Sequence, residues 1–239
     1  AQVETAAYVT VQSASIDRYL GPFFRLLMVP TDKRADLLLA AVHWTANQYT
    51  FFSQKKSLNK FPGKPLCYWS SPQFIAAILD APTLYPSFAY VGLGASPHAF
   101  FFRMWWEVPQ QTLNVRWKRI CRGGDFSPFY RPNHLTIDWR DNGAVVKQFI
   151  LQKYPYLGGN YGWKIQDESK YGKPGLTWGK RNERFNVQVM PAGHIFTDEG
   201  QGIVPDTTTT APFLLGYLNS SLVAYFLSLT SGLQKHYVY

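Results

Sequence analysis

The sequence has few of the residues that bind metals. It contains only two cysteines, Cys67 and Cys121, which lie far apart, and five histidines with no pair at i, i+4 spacing. Neither set matches the ligand spacing of a zinc site, so we expect no bound metal. So little cysteine favours a reducing intracellular compartment, although one disulfide between the two thiols stays open.

Signatures of cofactor-binding enzymes are missing as well. Residues 91–95 contain a Gly-x-Gly pair without the third glycine of a dinucleotide-binding loop, and no phosphate-binding loop with its lysine is present. Residues 1–12 alternate between polar and apolar side chains and do not form a signal peptide. The sequence therefore offers no convincing active site.

One uncharged segment is long enough to be considered as a membrane span. Residues 211–231 carry no charge, but they include Pro212, Gly216, Asn219 and several serines and threonines. Such a polar segment suits the interior of a globular domain better than lipid. We therefore predict no membrane span and a largely buried helix near this end of the chain.

Positive charge and aromatic rings are concentrated in the same region of the chain. Residues 103–184 contain 15 Lys and Arg against 7 Asp and Glu, whereas all other residues together contain 9 and 8. Six of the eight tryptophans fall in this region too. A basic surface that carries flat aromatic rings is typical of nucleic-acid binding.

The order of the secondary-structure patterns predicts an α+β fold with a loop-rich centre. We expect two strands near the start of the chain, followed by a helix over Asp32–Trp44 with Thr31 as its N-cap, and a short helix over Ser71–Ile78. The segment Asp141–Gly143 predicts a hairpin turn between two strands. The predicted strands are Gln2–Gln12, Phe23–Val29, Phe100–Val108, Gln111–Trp117, Leu135–Trp139, Val145–Ile150, Arg184–Met190 and His194–Phe196.

Basic and amide side chains beside aromatic rings are the candidates for contacting DNA. Cations neutralise phosphates, and arginine and asparagine also pair with base edges. The alternatives are a hairpin with solvated charges for Lys180 and Arg181, and a cationic strand edge for Arg116 and Lys118. The full candidate set is Arg103, Arg116, Lys118, Arg122, Arg131, Asn133, Trp163, Lys164, Trp178, Lys180, Arg181 and Asn182.

Two other classes of binding protein stay open. Loops rich in aromatic residues, such as Phe129–Asn133 and Gly158–Lys164, also form carbohydrate-binding platforms. The positive charge of the region argues against a neutral sugar but not against an acidic polysaccharide. A module that binds only another protein is the third possibility.

Six ordered segments resemble one family, the large bacterial DNA adenine methyltransferases. These are the PglX proteins of BREX phage-defence systems and the related type IIG restriction–modification enzymes. For example, Phe102–Val108 (FRMWWEV) resembles the family's "RFxRxWWEV" segment, and Gly175–Trp178 (GLTW) resembles "GITW". The other four segments are Phe61–Ser70, Gly123–Gly143, Phe185–Phe196 and Leu214–Ser220.

The resemblance implies a role in choosing the DNA sequence. In the family this region is the target-recognition part, which follows the catalytic domain. The resemblance assigns residues 1–50 to the end of the catalytic domain and its linker, and residues 51–239 to a DNA target-recognition domain. It implies double-stranded DNA and the parent's catalytic domain as partners, and a bacterial cytoplasmic location. Trp105, Trp106 and Trp139 are expected to be core residues of that domain.

The resemblance also implies that this chain is not itself an enzyme. The family's catalytic Asn-Pro-Pro-Tyr motif and its glycine-rich S-adenosylmethionine motif lie upstream of the recognition region, and neither occurs in this sequence. We therefore expect S-adenosylmethionine to bind elsewhere in the parent protein. The chain would position the target adenine for a catalytic domain that it does not contain.

Overall fold

The structure, a computed structural model, describes residues 19–43, 47–54, 65–80, 89–94, 98–182, 184–205 and 210–230. Its contacts divide the chain into two compact units, Ala1–Ala81 and Pro82–Tyr239. Helices and strands alternate irregularly along the chain, and the predicted α+β class is confirmed. The predicted strand Gln2–Gln12 lies outside the described residues. The assignment of residues 1–50 to a catalytic domain stays a prediction.

The first unit contains a two-stranded antiparallel sheet and two helices. Strand β1 (Leu20–Phe24) pairs with β2 (Thr50–Gln54). Helix α1 spans Thr31–Val42 and helix α2 spans Pro72–Leu79, each within two residues of its predicted bounds. Thr31 is the first residue of α1 rather than its cap; the N-cap is Pro30, which has no side chain able to accept a hydrogen bond.

Aromatic contacts connect the sheet of the first unit to the segment before α2. Tyr68 stacks on Phe23, with ring centres 4.4 Å apart. The Arg25 guanidinium lies 3.7 Å from the centre of the Trp69 ring, within the range of a cation–π interaction. The Tyr-Trp pair of the family-like segment Phe61–Ser70 therefore packs within this unit.

The second unit contains two four-stranded sheets. The first sheet has the order β3 (Ala89–Tyr90), β10 (Gly200–Ile203), β7 (Gly175–Gly179) and β8 (Val187–Met190), with every neighbouring pair antiparallel. All five residues of β7 are buried, which is the pattern of a central strand covered on both faces.

The second sheet has the order β4 (Phe102–Met104), β6 (Leu135–Asp138), β5 (Trp117–Cys121) and β9 (His194–Phe196). Strands β4, β6 and β5 are antiparallel, and β5 pairs with β9 in parallel. The short helix α3 (His98–Phe101) leads into β4. The strands predicted at Leu135–Trp139 and His194–Phe196 are confirmed, and four of the seven residues at Arg184–Met190 are strand.

A layer of apolar side chains covers each sheet. On the second sheet, Val146 and Ile150 of helix α4 (Arg140–Lys153) pack with Ile120 and Ile137. On the first sheet, helices α5 (Thr210–Leu218) and α6 (Ser221–Thr230) pack with Leu176 of β7. A third cluster joins the sheets and consists of Cys121, Met190, Phe196 and Val204.

The predicted terminal helix is two helices rather than one. The axis bends by 60° between α5 and α6, and Asn219 in the break bonds through its side chain to both backbone groups of Val187. Leu214 and Leu218 are buried, but Phe213 and Leu222 are exposed, so only one face is covered. Among the described residues no single helix is long and apolar enough to cross a membrane; the bent pair has the length and composition only when its members are taken together.

Two strand predictions in the second unit are wrong. Residues 111–117 contain the end of a 3₁₀ turn (Gln110–Thr112) and an irregular loop that enters β5 only at Trp117. Residues 145–150 are helical, because Val146 and Ile150 are one turn apart and both bury their side chains against the second sheet. Tertiary packing here overrides the β propensity of a Val-Val pair.

Candidate nucleic-acid interface

Strand β5 has predicted DNA contacts at both of its ends. At its start, Arg116 and Lys118 lie beside the end of β6, because Trp117 is opposite Asp138 in the antiparallel register. At its other end the chain continues directly into Arg122. The two ends of this strand therefore define two separate groups of polar side chains.

A cleft of about 390 Å³ opens at the start of β5, and we call it the basic cleft. It brings together the predicted contacts Arg116 and Lys118. The Lys118 ammonium donates a hydrogen bond to the Asn114 carbonyl, which tethers it near its own strand. The residues that line the basic cleft are Val115, Arg116, Lys118, Trp139, Arg140, Asp141 and Asn142.

A single carboxylate orients two guanidinium groups of the basic cleft. Arg116 donates to Oδ2 of Asp138 from Nε at 3.1 Å and from Nη2 at 2.7 Å. Arg140 donates to Oδ1 from Nε at 3.2 Å, and its Nη2 lies 3.0 Å from Oδ2. The Asp138 side chain is only 14% exposed. Burial raises the pKa of this carboxyl, but the hydrogen bonds from the two arginines outweigh burial and leave the pKa below its usual value.

Residues 141–143 form a left-handed turn within the span of α4, where the helix is kinked, rather than a hairpin. The φ angles of Asp141, Asn142 and Gly143 are 48°, 55° and 73°. Asparagine, aspartate and glycine are the residues that tolerate this region best. Gly143 lies against the Trp139 indole so closely that a Cβ would be 2.9 Å from ring carbons Cη2 and Cζ3. The turn leaves Asp141 and Asn142 exposed at the basic cleft.

The other end of β5 meets the end of β7 and the start of β10, and we call this meeting point the glycine junction (residues 121–124, 179–182 and 199–200). A Cβ at Gly200 would lie 2.5 Å from the Cys121 carbonyl oxygen, and one at Gly179 would lie 3.3 Å from Cα of Gly123. Only glycine allows backbones to approach so closely. The Lys180 N–H donates to the Glu199 carbonyl at 2.9 Å, which attaches the segment after β7 to the loop before β10.

The glycine junction collects four of the remaining predicted contacts. Arg122 forms an ion pair with Glu199. Asn182 donates from Nδ2 to the Gly124 carbonyl at 3.0 Å. Within the described part of the chain, Lys180 and Arg181 form no ion pair, and Arg181 is exposed. Lys180 and Arg181 therefore keep their charge available to an external anion.

Two predicted contacts near the junction turn out to bond within the protein. The Arg131 guanidinium donates to the Arg122 carbonyl, and burial lowers its pKa below the usual value. Asn133 bonds through Nδ2 to Cys121 Sγ at 3.7 Å, and its carbonyl accepts from Arg119 at 2.8 Å. Both cysteines are buried and unpaired, and burial raises the pKa of Cys121 to about 12.

Trp163 and Lys164 lie in a separate loop of the second unit. The Trp163 side chain is 71% exposed. Its 3₁₀ turn (Tyr161–Trp163) is capped by Asn160, whose side chain accepts the Gly162 N–H at 2.9 Å. The Lys164 ammonium lies 5.0 Å from the centre of the Tyr154 ring. An exposed indole on a braced turn next to a cation can stack on a flat ligand.

Arg103 lies on the edge strand β4 and is not part of either group at the ends of β5. Its Nη1 donates to the Phe102 carbonyl at 2.7 Å, and the side chain is exposed. A cation on an edge strand also discourages pairing with another sheet, which is the alternative role for this residue.

The tryptophans do not all occupy the environments predicted for them. Trp178, predicted to contact DNA, is 4% exposed and packs in the core of the first sheet, so its ring does not reach solvent. Trp139 is a core residue, as predicted. Trp105 and Trp106, also predicted to be core, are 38% and 57% exposed, because the chain leaves β4 and turns outward in a 3₁₀ turn (Trp105–Glu107).

Sequence reasoning missed four polar residues of this surface. Arg140, Asp141 and Asn142 line the basic cleft. The Arg119 guanidinium lies 5.2 Å from the centre of the exposed Trp105 ring. The signal for Asn142 was present in the Asp-Asn-Gly segment, which predicts positive φ angles. Only the fold places that turn beside Arg116.

No three His, Cys, Asp or Glu side chains within the described ranges come close enough together to hold a metal ion.

The chain is similar to two adenine-specific methyltransferases. It is 25% identical over 246 residues to the adenine-specific methyltransferase PglX of Lacticaseibacillus casei (strain Zhang), and the match covers 96% of this chain. It is 23% identical over 237 residues to the adenine-specific methyltransferase BrxX of Escherichia coli O9:H4 (strain HS), covering 95% of this chain. The chain spans about a fifth of the length of these relatives, 20% and 18%. No family model matches.

Proposed function

We propose that this chain is the DNA-recognition part of an adenine-specific DNA methyltransferase. In this proposal the chain binds a double-stranded site and presents one adenine to a catalytic domain of the parent protein, which flips the base and methylates it. The methyl donor, S-adenosylmethionine, would bind in that other domain. A type IIG restriction–modification enzyme or a BREX methyltransferase, acting in the bacterial cytoplasm, is the parent we expect.

The observation that carries the proposal is the grouping of cations at both ends of β5 in a chain whose relatives are named adenine-specific methyltransferases. Arg116 and Arg122 flank the five residues of β5, and Lys118 lies within the strand. At about 3.3 Å per residue this is roughly 16 Å, or about five base pairs along a duplex. This separation is shorter than one turn of duplex DNA, so a single DNA site is long enough to meet both groups.

The main competing function is binding of a carbohydrate. The exposed rings of Trp105, Trp106 and Trp163 favour this function, because sugars stack on such rings. The cations near these rings are better explained by a polyanion. Lys164 follows Trp163, and Arg119 lies close to Trp105. A neutral sugar would gain little from either charge.

The proposal is tested by measuring binding of the 239-residue chain to a pool of random 30-base-pair duplexes at 50 and 200 mM salt. Three to five phosphate contacts predict a slope of about −2.7 to −4.5 for log K against log salt, and a roughly 40- to 500-fold loss of affinity over this range. A neutral oligosaccharide and heparin are the controls. Binding of the neutral oligosaccharide that survives 200 mM salt, without binding of duplex DNA, would refute the proposal.

A further inference from the structure

The basic cleft differs in chemistry from the rest of the basic surface, because it contains acceptors as well as donors. Asp141 and Asn142 line it together with Arg116, Lys118 and Arg140. With Asp138 included, these residues carry three positive and two negative charges, a net charge of only +1. A carboxylate in the cleft repels a phosphate group, so phosphate binding alone does not explain this set of residues.

The donors of the cleft are held in fixed directions. Each guanidinium uses Nε and Nη2 on Asp138. Guanidinium has five N–H donors, so Nη1 of Arg116 and of Arg140 remains available for a ligand. Because both groups are attached to one largely buried carboxylate, little side-chain entropy is lost when a ligand binds.

The acceptor side of the cleft is equally well defined. The side chain of Asn142 is exposed and makes no hydrogen bond to another residue in the described ranges. The left-handed turn fixes its backbone, and Gly143 holds the turn against the Trp139 ring. An amide offers both a donor and an acceptor, which is the pair that adenine presents in the major groove.

We infer that the basic cleft reads base edges in the major groove of duplex DNA, and that Lys180 and Arg181 at the glycine junction hold the phosphate backbone. This inference rests on the proposed function. Asn142 pairs with adenine, Arg140 pairs with guanine, and Asp141 accepts from the amino group of cytosine. Lys180 and Arg181, which have no ion-pair partner among the described residues, supply affinity that is independent of sequence.

The experiment compares two kinds of change in the 239-residue chain. Asn142→Gly removes the amide and keeps the positive φ angle, and it changes no charge. Lys180→Ala removes a cation at the glycine junction. Lys173→Ala, at an exposed cation outside both groups, is the matched control. Selection from a random duplex library gives the sequence preference, and binding at several salt concentrations gives the slope.

We expect Asn142→Gly to reduce discrimination at one or two base pairs by roughly 5- to 150-fold, the range of one bidentate contact, with an unchanged salt slope. Lys180→Ala should weaken binding to all sequences alike and make the slope shallower by about 0.9. Lys173→Ala should do neither. Circular dichroism verifies that each variant is folded.

Three outcomes would overturn the inference. If Asn142→Gly leaves the sequence preference unchanged, the cleft does not read bases. If the unaltered chain binds duplexes without any sequence preference, the proposal of DNA binding is kept and the inference that the cleft reads bases is refuted. If the unaltered chain binds no duplex, the proposed function itself fails, and the inference fails with it.

Discussion

Gly143 provides a quantitative test of how the basic cleft is built. A Cβ at this position would lie 2.9 Å from Cη2 and Cζ3 of the Trp139 ring, and φ is +73°. The ring cannot move away easily, because it is 6% exposed and lies edge-to-face with Tyr171, with ring centres 5.8 Å apart. Gly143→Ala should therefore combine about 1–2 kcal/mol of backbone strain with about 1–3 kcal/mol of overpacking.

Gly172 is the matched control for this substitution. Its φ is +77°, but a Cβ there would have nothing within 4 Å. Gly172→Ala should therefore show the backbone strain alone, about 1–2 kcal/mol. Denaturant unfolding and hydrogen exchange of the Val146 and Ile150 amides measure both variants, since these residues pack with Trp139. Equal destabilisation by the two substitutions would refute the role given to the ring contact.

Three further predictions concern the ion pairs, the junction and the tryptophans. Asp138→Asn should lower the free energy of unfolding at pH 7 by about 1.5–3 kcal/mol, because it removes charge-assisted hydrogen bonds. The pKa of Asp138 is lowered in the folded state, so its contribution is present above the ordinary value of 3.8 and is lost as the pH falls through the folded pKa. The double variant of Lys180 and Arg181 to Ala should make the salt slope of DNA binding shallower by about 1.8, measured by fluorescence anisotropy. Trp178→Ala should destabilise the fold by about 3–5 kcal/mol in thermal unfolding, whereas Trp163→Ala should change stability by less than about 0.5 kcal/mol and weaken DNA binding.

Each of these predictions has a clear contradicting result. If Asp138→Asn and the unaltered chain unfold in acid at the same pH, the ion pairs of Asp138 do not stabilise the fold. An unchanged salt slope in the double variant would exclude the glycine junction from the DNA contact. A Trp163→Ala variant that binds DNA normally would exclude the loop that contains Trp163 from the DNA contact.

Asp141–Gly143 illustrates what local sequence can and cannot specify. The residues predict positive φ angles, and the structure has them. The same three residues would also suit a hairpin, and contacts far away in the sequence decide whether a strand or a helix comes after them. Val146 and Ile150 bury their side chains against Ile120 and Ile137 of the second sheet. A strand would place Gln148 on that face as well, whereas in the helix Gln148 is exposed.

The tryptophans illustrate the same limit for the candidate site. Trp178 and Trp163 both stand next to glycine and close to a cation in the sequence, which predicts DNA contact for both. Trp178 falls on a central strand covered on both faces, whereas Trp163 falls in a loop. Burial of a side chain depends on which other elements of the fold cover its strand. The neighbouring residues in the sequence do not specify those elements.

Composition and pattern were enough to indicate the α+β class, the basic and aromatic region, the absence of a cofactor loop from this sequence and the resemblance to adenine methyltransferases. These properties are carried by local segments and by counts of charge, so they are readable without a fold. The assembly of Arg116 and Arg140 on Asp138, beside the Asn142 turn, needed the tertiary structure. It depends on antiparallel pairing of β5 with β6, which brings residues 22 positions apart into hydrogen-bonding distance.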